Sequence, residues 1–247
     1  MTFTCVTARD RPDLAPEVAA AFRQRWPEFV FHDPVVPRYL DRVGRYFRTF
    51  DVLLLDGGRP VAGGWGVPFT WNQTVEDLPE GYDGALARSV EDHEAGRPAD
   101  TFSLMAAAVH PEHDGRGLAT EVIAALTARA AEAGLRHVIA PLRPTWKHRY
   151  PNVGMAEYAT WVRDDGLSVD PWIRTHQRLG ARILAPAPNS MVIPGTVREW
   201  EQWADMPFPV SGEYVVPGAL NLVTVDRERD EAVYREENLW VRHRDPV

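Results

Sequence analysis

The amino-acid sequence predicts an α/β fold with a mixed central sheet, and three observations support this. Residues 103–133 read as an apolar strand, a turn with two glycines and a long amphipathic helix. Residues 51–67 hold two apolar runs separated by Gly57 and Gly58, which is the pattern of a β-hairpin. The chain has 247 residues, of which 45% are hydrophobic, and this is enough to bury one large core.

The first half of the chain is predicted to run strand, two helices, two strands. Asp13 can cap the first helix, which follows a strand at residues 3–8. The second helix is predicted over residues 36–50, directly before the hairpin. Residues 71–100 fit no core element, and we interpret them as an insertion with a short helix at 84–95. The insertion would either cover a binding site or form a solvated surface excursion.

The second half of the chain continues the sheet and ends in an extension. Asp170, Pro171 and Gly180 mark the cap, the first position and the end of a further helix. We therefore predict a core at residues 1–195 and an extension at residues 196–247 that completes the sheet. The other predicted elements are an irregular segment at 143–169, a helix at 197–203, and strands at 101–110, 136–142, 181–184, 190–193, 219–225 and 232–243.

Composition and charge exclude several classes of function. The net charge of −8 argues against nucleic acid as the main partner. No run of about 18 apolar residues occurs, so we expect no membrane contact and a cytoplasmic protein. Cys5 is the single cysteine, which excludes an intrachain disulfide, and its apolar setting predicts a buried side chain. The eight histidines include no pair spaced like metal ligands on one helix, so we predict no metal.

The segment that we name the glycine turn consists of Asp114, Gly115, Arg116, Gly117, Leu118 and Ala119. The first N–H groups of a helix have no partner within it, and the helix dipole is positive there, so such a turn can hold an anion. Gly115 and Gly117 lack a Cβ, which lets a phosphate approach the backbone and allows positive φ. Arg116 adds a cationic side chain, and the turn is therefore predicted to cradle a phosphate.

The glycine turn resembles the acetyl-CoA motif of the GNAT acyltransferase superfamily. That motif reads Gln or Arg, two residues, Gly, one residue, then Gly or Ala. Gly117 and Ala119 fill the last two places, whereas Asp114 departs from the pattern at the first. The resemblance implies a GNAT fold, acetyl-CoA or another acyl-CoA as co-substrate, and a cofactor site that includes the whole glycine turn.

The resemblance also implies where the thioester is bound. The strands at 101–110 and 136–142 would splay apart, and the pantetheine arm would enter the gap between them. A backbone N–H near Ala108 or Val109 would then hold the thioester carbonyl. The segment 103–109 contains no Asp or Glu, although a carboxylate there is a common base in the superfamily, so a base must come from elsewhere.

A candidate for the catalytic acid follows from the same resemblance. In the superfamily, a tyrosine four residues before a glycine often protonates the departing thiolate. Counting back from Gly180 gives His176, whose side chain titrates near neutrality and is suited to act as the acid. The other interpretation of His176 is a helix histidine that only satisfies a backbone carbonyl.

These features lead to one main functional prediction and two alternatives. The main one is an N-acyltransferase that transfers the acyl group directly to a small-molecule acceptor, and a homodimer is compatible with it. A narrower resemblance, to decarboxylating GNAT-like loading domains of polyketide synthases, assigns catalytic roles to His176 and Thr145 in the handling of a malonyl or methylmalonyl thioester. Decarboxylation needs no amine base, and S-acyl transfer could follow it. The third alternative is a CoA-binding sensor without catalysis.

Overall fold

A computed structural model describes residues 3–243 of the chain, without the side chains of residues 19–22. Residues 1–2 of the predicted core and residues 244–247 of the predicted extension lie outside the described residues. The strands are β1 (Thr4–Thr7), β2 (Asp51–Asp56), β3 (Arg59–Phe69), β4 (Thr101–Val109), β5 (His137–Leu142), β6 (Arg182–Gly195), β7 (Gly212–Tyr214), β8 (Val223–Asp226) and β9 (Glu231–Arg242). The α-helices are α1 (Ala15–Arg23), α2 (Val36–Tyr46), α3 (Gly81–Glu94), α4 (Leu118–Glu132), α5 (Met155–Tyr158), α6 (Pro171–Arg178) and α7 (Val197–Ala204).

Within the described residues, all nine strands belong to one mixed sheet. Its order is β1-β2-β3-β4-β5-β9-β8-β7, and β6 pairs with β9. The pair β4 and β5 is parallel, and the other strand pairs are antiparallel. Parallel neighbours need a long crossover connection, and α4 lies in the connection between β4 and β5. The predicted α/β fold with a mixed central sheet is confirmed.

Helix α4 fixes the glycine turn against the sheet. Its predicted apolar stripe is buried, and the stripe consists of Leu118, Val122, Leu126 and Ala130. The helix comes so close to β3 that a Cβ at Gly64 would lie 2.6 Å from Cγ1 of Val122. Only glycine permits this approach, so Gly64 lets α4 pack closer to β3 than a residue with a Cβ would.

The extension contributes strands to the interior of the sheet. Strand β9 pairs with β6 along one edge and with β5 and β8 along the other. A second core cluster, which includes Phe29, Trp200 and Tyr234, packs beneath this part of the sheet. The division of the chain at residue 195 stays a prediction.

Three details differ from the sequence-based expectations. The interpretation of residues 71–100 as a segment outside the core is wrong, because α3 buries Ala85, Leu86 and Val90 in the main core. The predicted strands at 181–184 and 190–193 form one strand, β6, because Pro186 pairs with Leu239 of β9 and Pro188 lies in the bulge between Ala187 and Met191. The prediction that Cys5 is buried is wrong. Its side chain is exposed because the four-residue edge strand β1 buries only Thr7. No helix of the described residues is long and apolar enough to cross a membrane.

Candidate active site

Strands β4 and β5 separate and leave a cavity between them. They pair over only three residues each, the last being Ser103 and Ile139. Beyond that point a cavity of about 610 Å³ opens. Its lining includes residues 104–107 of β4, residues 140–143 at the end of β5, and residues of α2, α6 and β9. The splayed geometry expected of these strands is present.

Two backbone N–H groups of β4 point away from β3, on the side of this gap. The N–H of His110 donates to the carbonyl of Val61 on β3 at 2.8 Å. Because alternate residues of an antiparallel strand bond the same neighbour, the N–H groups of Ala107 and Val109 point the other way, towards β5. By the same alternation, Ala108 bonds to β3. A bulge at Met105 ends the alternation, since Trp65 pairs with Ala106 and the next residue pairs with Leu104.

The glycine turn has the backbone conformation that the sequence predicts. Gly115 and Gly117 have φ of 75° and 77°, and Gly117 is the N-cap of α4. A Cβ at either glycine would meet nothing within 4 Å, so the space above the turn is open. The side chain of Leu118 is buried in the core, which leaves its backbone N–H as the group that could face a ligand. Ala119 is half-buried.

Asp114 has a role that the sequence did not reveal. Its Oδ1 accepts a hydrogen bond from Nη2 of Arg25 at 2.5 Å. The Nε of Arg25 also donates to the carbonyl of Val109 at 2.7 Å. Arg25 therefore links the segment after α1 to the end of β4, and Asp114 accepts one of its two hydrogen bonds. Arg116 contacts Nδ1 of His113 and lies 5.5 Å from the centre of the Phe3 ring.

Three potential metal ligands lie just before the glycine turn. The ligand atoms of His110, Glu112 and His113 are within 4.8 Å of one another. The Nδ1 of His110 already accepts from the N–H of Glu112 at 3.3 Å, and His113 contacts Arg116. The absence of a metal stays a prediction.

Helix α6 places His176 in the cavity wall. The Asp170 carboxylate caps the helix by accepting from the N–H groups of Trp172 and Ile173, which confirms the predicted cap. His176 lines the cavity and is 1% exposed. Its Nδ1 lies 2.9 Å from Nε2 of His243, whereas its buried Nε2 has no hydrogen-bond partner among the described residues. Burial, followed by the neighbouring His243, holds the pKa of His176 well below its usual value.

Thr145 lies apart from this arrangement. Its side chain is exposed, and its backbone N–H donates to Oδ1 of Asp170 at 3.3 Å. The residue sits beside the first turn of α6 and is not among the residues that line the cavity with His176. The structure therefore does not bring the two predicted catalytic side chains together in that cavity.

The far end of the cavity carries a buried carboxylate, Glu236 of β9. Its Oε2 accepts from Nε of Arg143 at 2.9 Å and from the hydroxyl of Tyr234 at 2.9 Å. Its Oε1 accepts from Nδ2 of Asn238 at 2.9 Å. Since Glu236 is fully buried, these partners are needed to offset the desolvation of its charge.

Two further carboxyl groups lie close to Glu236. The carboxyl groups of Asp33 and Asp83 lie close enough for each to influence the pKa of the other. Oδ2 of Asp33 and Oδ1 of Asp83 are buried and have no hydrogen-bond partner among the described residues. Burial, followed by the charge of Asp33, raises the pKa of Asp83 to about 8. Burial likewise raises the pKa of Asp33.

Two carboxylates, Asp41 and Glu236, line the cavity, and the Asp33–Asp83 pair lies near Glu236 outside the lining. We name Asp33, Asp41, Asp83 and Glu236 the acidic wall. Arg143 and Arg23 also line the cavity, but Arg143 is paired with Glu236 and Arg23 with Glu28. Among the described residues, Asp41 and the Asp33–Asp83 pair therefore have no arginine that neutralises their charge. Sequence reasoning missed the wall, although the alternation of Tyr234, Glu236, Asn238 and Trp240 on one strand face could have revealed Glu236.

Comparisons with known proteins fit this arrangement. The family described as Acetyltransferase (GNAT) family matches residues 15–157 of the chain. Arginine N-acetyltransferase avaD of Aspergillus versicolor is 29% identical over 273 residues, which cover 98% of this chain and 93% of that protein. The loading GNATL domain of CurA from Lyngbya majuscula has a TM-score of 0.61 at 16% identity, with 99% of this chain and 98% of that chain covered. The GphF GNAT-like decarboxylase, solved with isobutyryl-CoA, has a TM-score of 0.51 at 14% identity, with 99% of both chains covered. At these identities, the two structural likenesses show the fold alone.

Proposed function

The chain belongs to the GNAT family of acetyltransferases, and from this premise we propose that it transfers an acetyl group from acetyl-CoA to the amine of a small cationic acceptor such as arginine. It is an acyltransferase with an acyl-CoA as co-substrate. The acetyl group and the cationic acceptor are the proposed refinements. The acidic wall is the observation that carries the proposal, because two of its members, Asp41 and Glu236, line the same cavity as residues 104–107 of β4.

The acyl-CoA would be held mainly by the protein backbone. The N–H of Asp114 donates to the carbonyl of Pro111, so the later N–H groups of the glycine turn are the proposed donors to the pyrophosphate, and the gap between β4 and β5 has room for the pantetheine arm. The N–H groups of Ala107 and Val109 point away from β3, and Ala107 lines the cavity, so these two groups are the proposed donors to the pantetheine and the thioester carbonyl. A hydrogen bond to that oxygen stabilises the negative charge that develops on it during transfer.

The acceptor would be recognised by the charge of the acidic wall. A guanidinium group matches a carboxylate geometrically and electrostatically, and a low-dielectric cavity strengthens the attraction. Asp41 lines the cavity without an ion pair among the described residues, and the Asp33–Asp83 pair adds negative charge near Glu236. The relative at 29% identity carries the name arginine N-acetyltransferase, which agrees with such an acceptor.

The reaction then needs few groups. The acceptor ammonium gives its proton to water in the cavity, and its nitrogen attacks the thioester carbonyl carbon. The carbon–sulfur bond breaks, and the departing thiolate takes a proton from Nε2 of His176. That atom is buried in the cavity wall without another partner, so nothing among the described residues competes for its proton.

One pair of acceptors tests the proposal. L-Arginine and L-citrulline share the α-amine and nearly the same shape, but citrulline lacks the cationic charge. We expect free thiol from acetyl-CoA with arginine, and a kcat/KM at least about tenfold lower with citrulline, since one buried charge pair is worth more than about 1.4 kcal/mol. Equal rates with the two acceptors would contradict recognition of the charge. No thiol release with any amine would contradict the transferase itself.

The decarboxylase alternative has one supporting observation, the unpartnered Nε2 of His176 in the cavity. In that reaction the carbon–carbon bond to the carboxylate breaks, CO₂ leaves, and the N–H of His176 stabilises the enolate before it is protonated. The exposed position of Thr145 leaves the proposed second residue outside the cavity. Release of CO₂ from malonyl-CoA without an amine, lost in Thr145→Val, would establish this alternative over the transferase.

A further inference from the structure

We propose that His243 completes the catalytic acid, so that His176 and His243 form a two-histidine relay that delivers a proton to the leaving thiolate. This inference rests on the proposed function, in which His176 is the acid. It adds a residue from the end of β9, 67 positions along the chain from His176. His243 would not touch the reacting atoms, and it acts through His176 as a positioning residue that also passes the proton.

The geometry of the pair supports direct proton transfer. Nδ1 of His176 and Nε2 of His243 are 2.9 Å apart, which is a normal hydrogen-bond distance. Neither nitrogen has another described partner, so one of the two must donate to the other. The backbone N–H of His243 donates to the carbonyl of Val138 on β5 at 2.9 Å, which anchors the second histidine to the sheet.

Packing fixes the orientation of the first ring. Trp172 lies edge-to-face against His176 with ring centres 4.5 Å apart. His176 lines the cavity and is 1% exposed, and its buried Nε2 has no hydrogen-bond partner among the described residues. One nitrogen of the ring is therefore committed to His243, and the other is the one that would donate to the thiolate.

Burial explains why a second histidine is needed. The pKa of His176 is held well below its usual value, and burial lowers the pKa of His243 to about 4, so both rings are neutral near pH 7. Among the described residues, no carboxylate contributes to either shift. A neutral imidazole is a weak acid on its own, because loss of its single proton would leave an imidazolate in a low-dielectric site. It becomes an effective acid when its other nitrogen gains a proton at the same time.

The relay balances protons without charging either ring. Nε2–H of His176 protonates the sulfur of the departing thiolate. Nδ1 of His176 takes the proton from Nε2 of His243, and Nδ1 of His243 takes one from solvent. His243 retains 5% exposure, which is sufficient for its outer nitrogen to exchange with water. After product release, the two protons move back, and both rings return to their starting tautomers.

The first test reads the tautomers directly and does not depend on activity. In the ¹⁵N NMR spectrum of the histidine-labelled protein, we expect one neutral tautomer for each ring of the pair at pH 7. In His243→Leu, His176 loses the partner that fixes its tautomer, and we expect its two ¹⁵N shifts to move towards the averaged values of a free neutral imidazole. Unchanged shifts in that variant would overturn the pairing, whatever the acceptor of the enzyme is.

The second test reads proton delivery. We expect His243→Leu and His243→Gln to lower kcat with acetyl-CoA by at least about tenfold, with KM for acetyl-CoA within about twofold of wild type. Glutamine keeps a hydrogen bond to Nδ1 of His176 but cannot pass a proton, so full activity in His243→Gln would overturn the relay. His148→Gln is the matched control, since His148 also makes one hydrogen bond, to the carbonyl of Thr145 at 2.9 Å, but does not line the cavity.

A thioester with a different leaving group shows whether the His243 variants lose proton delivery or only lose their structure. An acetyl thioester of a strongly acidic aryl thiol needs no proton on departure, so we expect the His243 variants to approach the wild-type rate with it. Equal loss of rate with both thioesters would mean that the substitutions only disturb the structure, and this would also overturn the relay. If the wild-type pair shows the expected tautomers but no amine is acetylated, the proposed function fails independently.

Discussion

The glycine turn and the acidic wall are the two parts of the proposed site, and they are built in opposite ways. The turn comes from six consecutive residues, 114–119, and offers mainly backbone N–H groups. The wall draws its carboxylates from the segment before α2, from α2, from α3 and from β9, and all of them except the exposed Asp41 are shielded from water and depend on pairing or protonation. A backbone site depends on local conformation, whereas a side-chain site of this kind depends on the whole fold.

This comparison teaches where each site is vulnerable. Damage to the turn should change cofactor binding with little change in stability beyond local strain. Damage to Asp33, Asp83 or Glu236 should change stability and acceptor binding together, because these wall carboxylates are also part of the protein interior. Four substitutions test this difference, beginning with the one that should have the largest effect.

Glu236→Gln should lower the free energy of unfolding by about 3 kcal/mol, because it leaves the buried guanidinium of Arg143 without its counterion. It should also raise KM for a cationic acceptor at least about tenfold, with KM for acetyl-CoA nearly unchanged. Urea unfolding and steady-state kinetics measure the two effects. Glu231→Gln, an exposed position on the same strand, is the control. An unchanged acceptor KM would remove Glu236 from acceptor binding.

Gly117→Val should raise KM for acetyl-CoA about 30-fold, since the new side chain occupies the open space above the turn and a φ of 77° is strained for a β-branched residue. The acceptor KM should change little. Gly58→Val has the same kind of strain, with φ of 87°, in the turn between β2 and β3. If both variants give the same acetyl-CoA KM, the glycine turn does not bind the cofactor.

Asp83→Asn should stabilise the protein at pH 8 by about 1–2 kcal/mol and have little effect near pH 4. The folded pKa of about 8 lies above the unfolded value of 3.8, so the stability of the wild type falls as the pH rises between these values. The asparagine side chain does not titrate, so this pH dependence should be lost in the variant. Thermal unfolding across this pH range measures the effect, with the exposed Glu76→Gln as control. A parallel pH dependence in Asp83→Asn and wild type would mean that Asp83 is not the titrating group.

Asp114→Ala should have the smallest effect and lower the free energy of unfolding by less than about 1 kcal/mol. The reason is that the Asp114–Arg25 ion pair is partly exposed at the surface. KM for acetyl-CoA should change by less than about threefold. A double-mutant cycle with Arg25→Ala measures the coupling. A change in KM of tenfold or more would place the Asp114 side chain in the cofactor site and weaken the contrast between turn and wall.

Much of the fold could be predicted because its signals are local. The stripe of Leu118, Val122, Leu126 and Ala130, and the cap at Asp170, depend on residues within a few positions of one another. Errors arose where a neighbouring strand decides the outcome. Strand β6 runs past two prolines because β9 supports it, and Cys5 is exposed because β1 has a single neighbour.

The candidate site divides along the same line. The sequence by itself determined the glycine turn, since helix-terminal N–H groups and glycine φ angles are properties of adjacent residues, and its resemblance to the GNAT superfamily pointed to His176. Only the tertiary structure decided what these residues face. It brought His243 to His176, Asp114 to Arg25, and Asp83 to Asp33. Such contacts join residues 50 to 90 positions apart, and no local pattern encodes them, because burial and pairing arise only when the sheet is assembled.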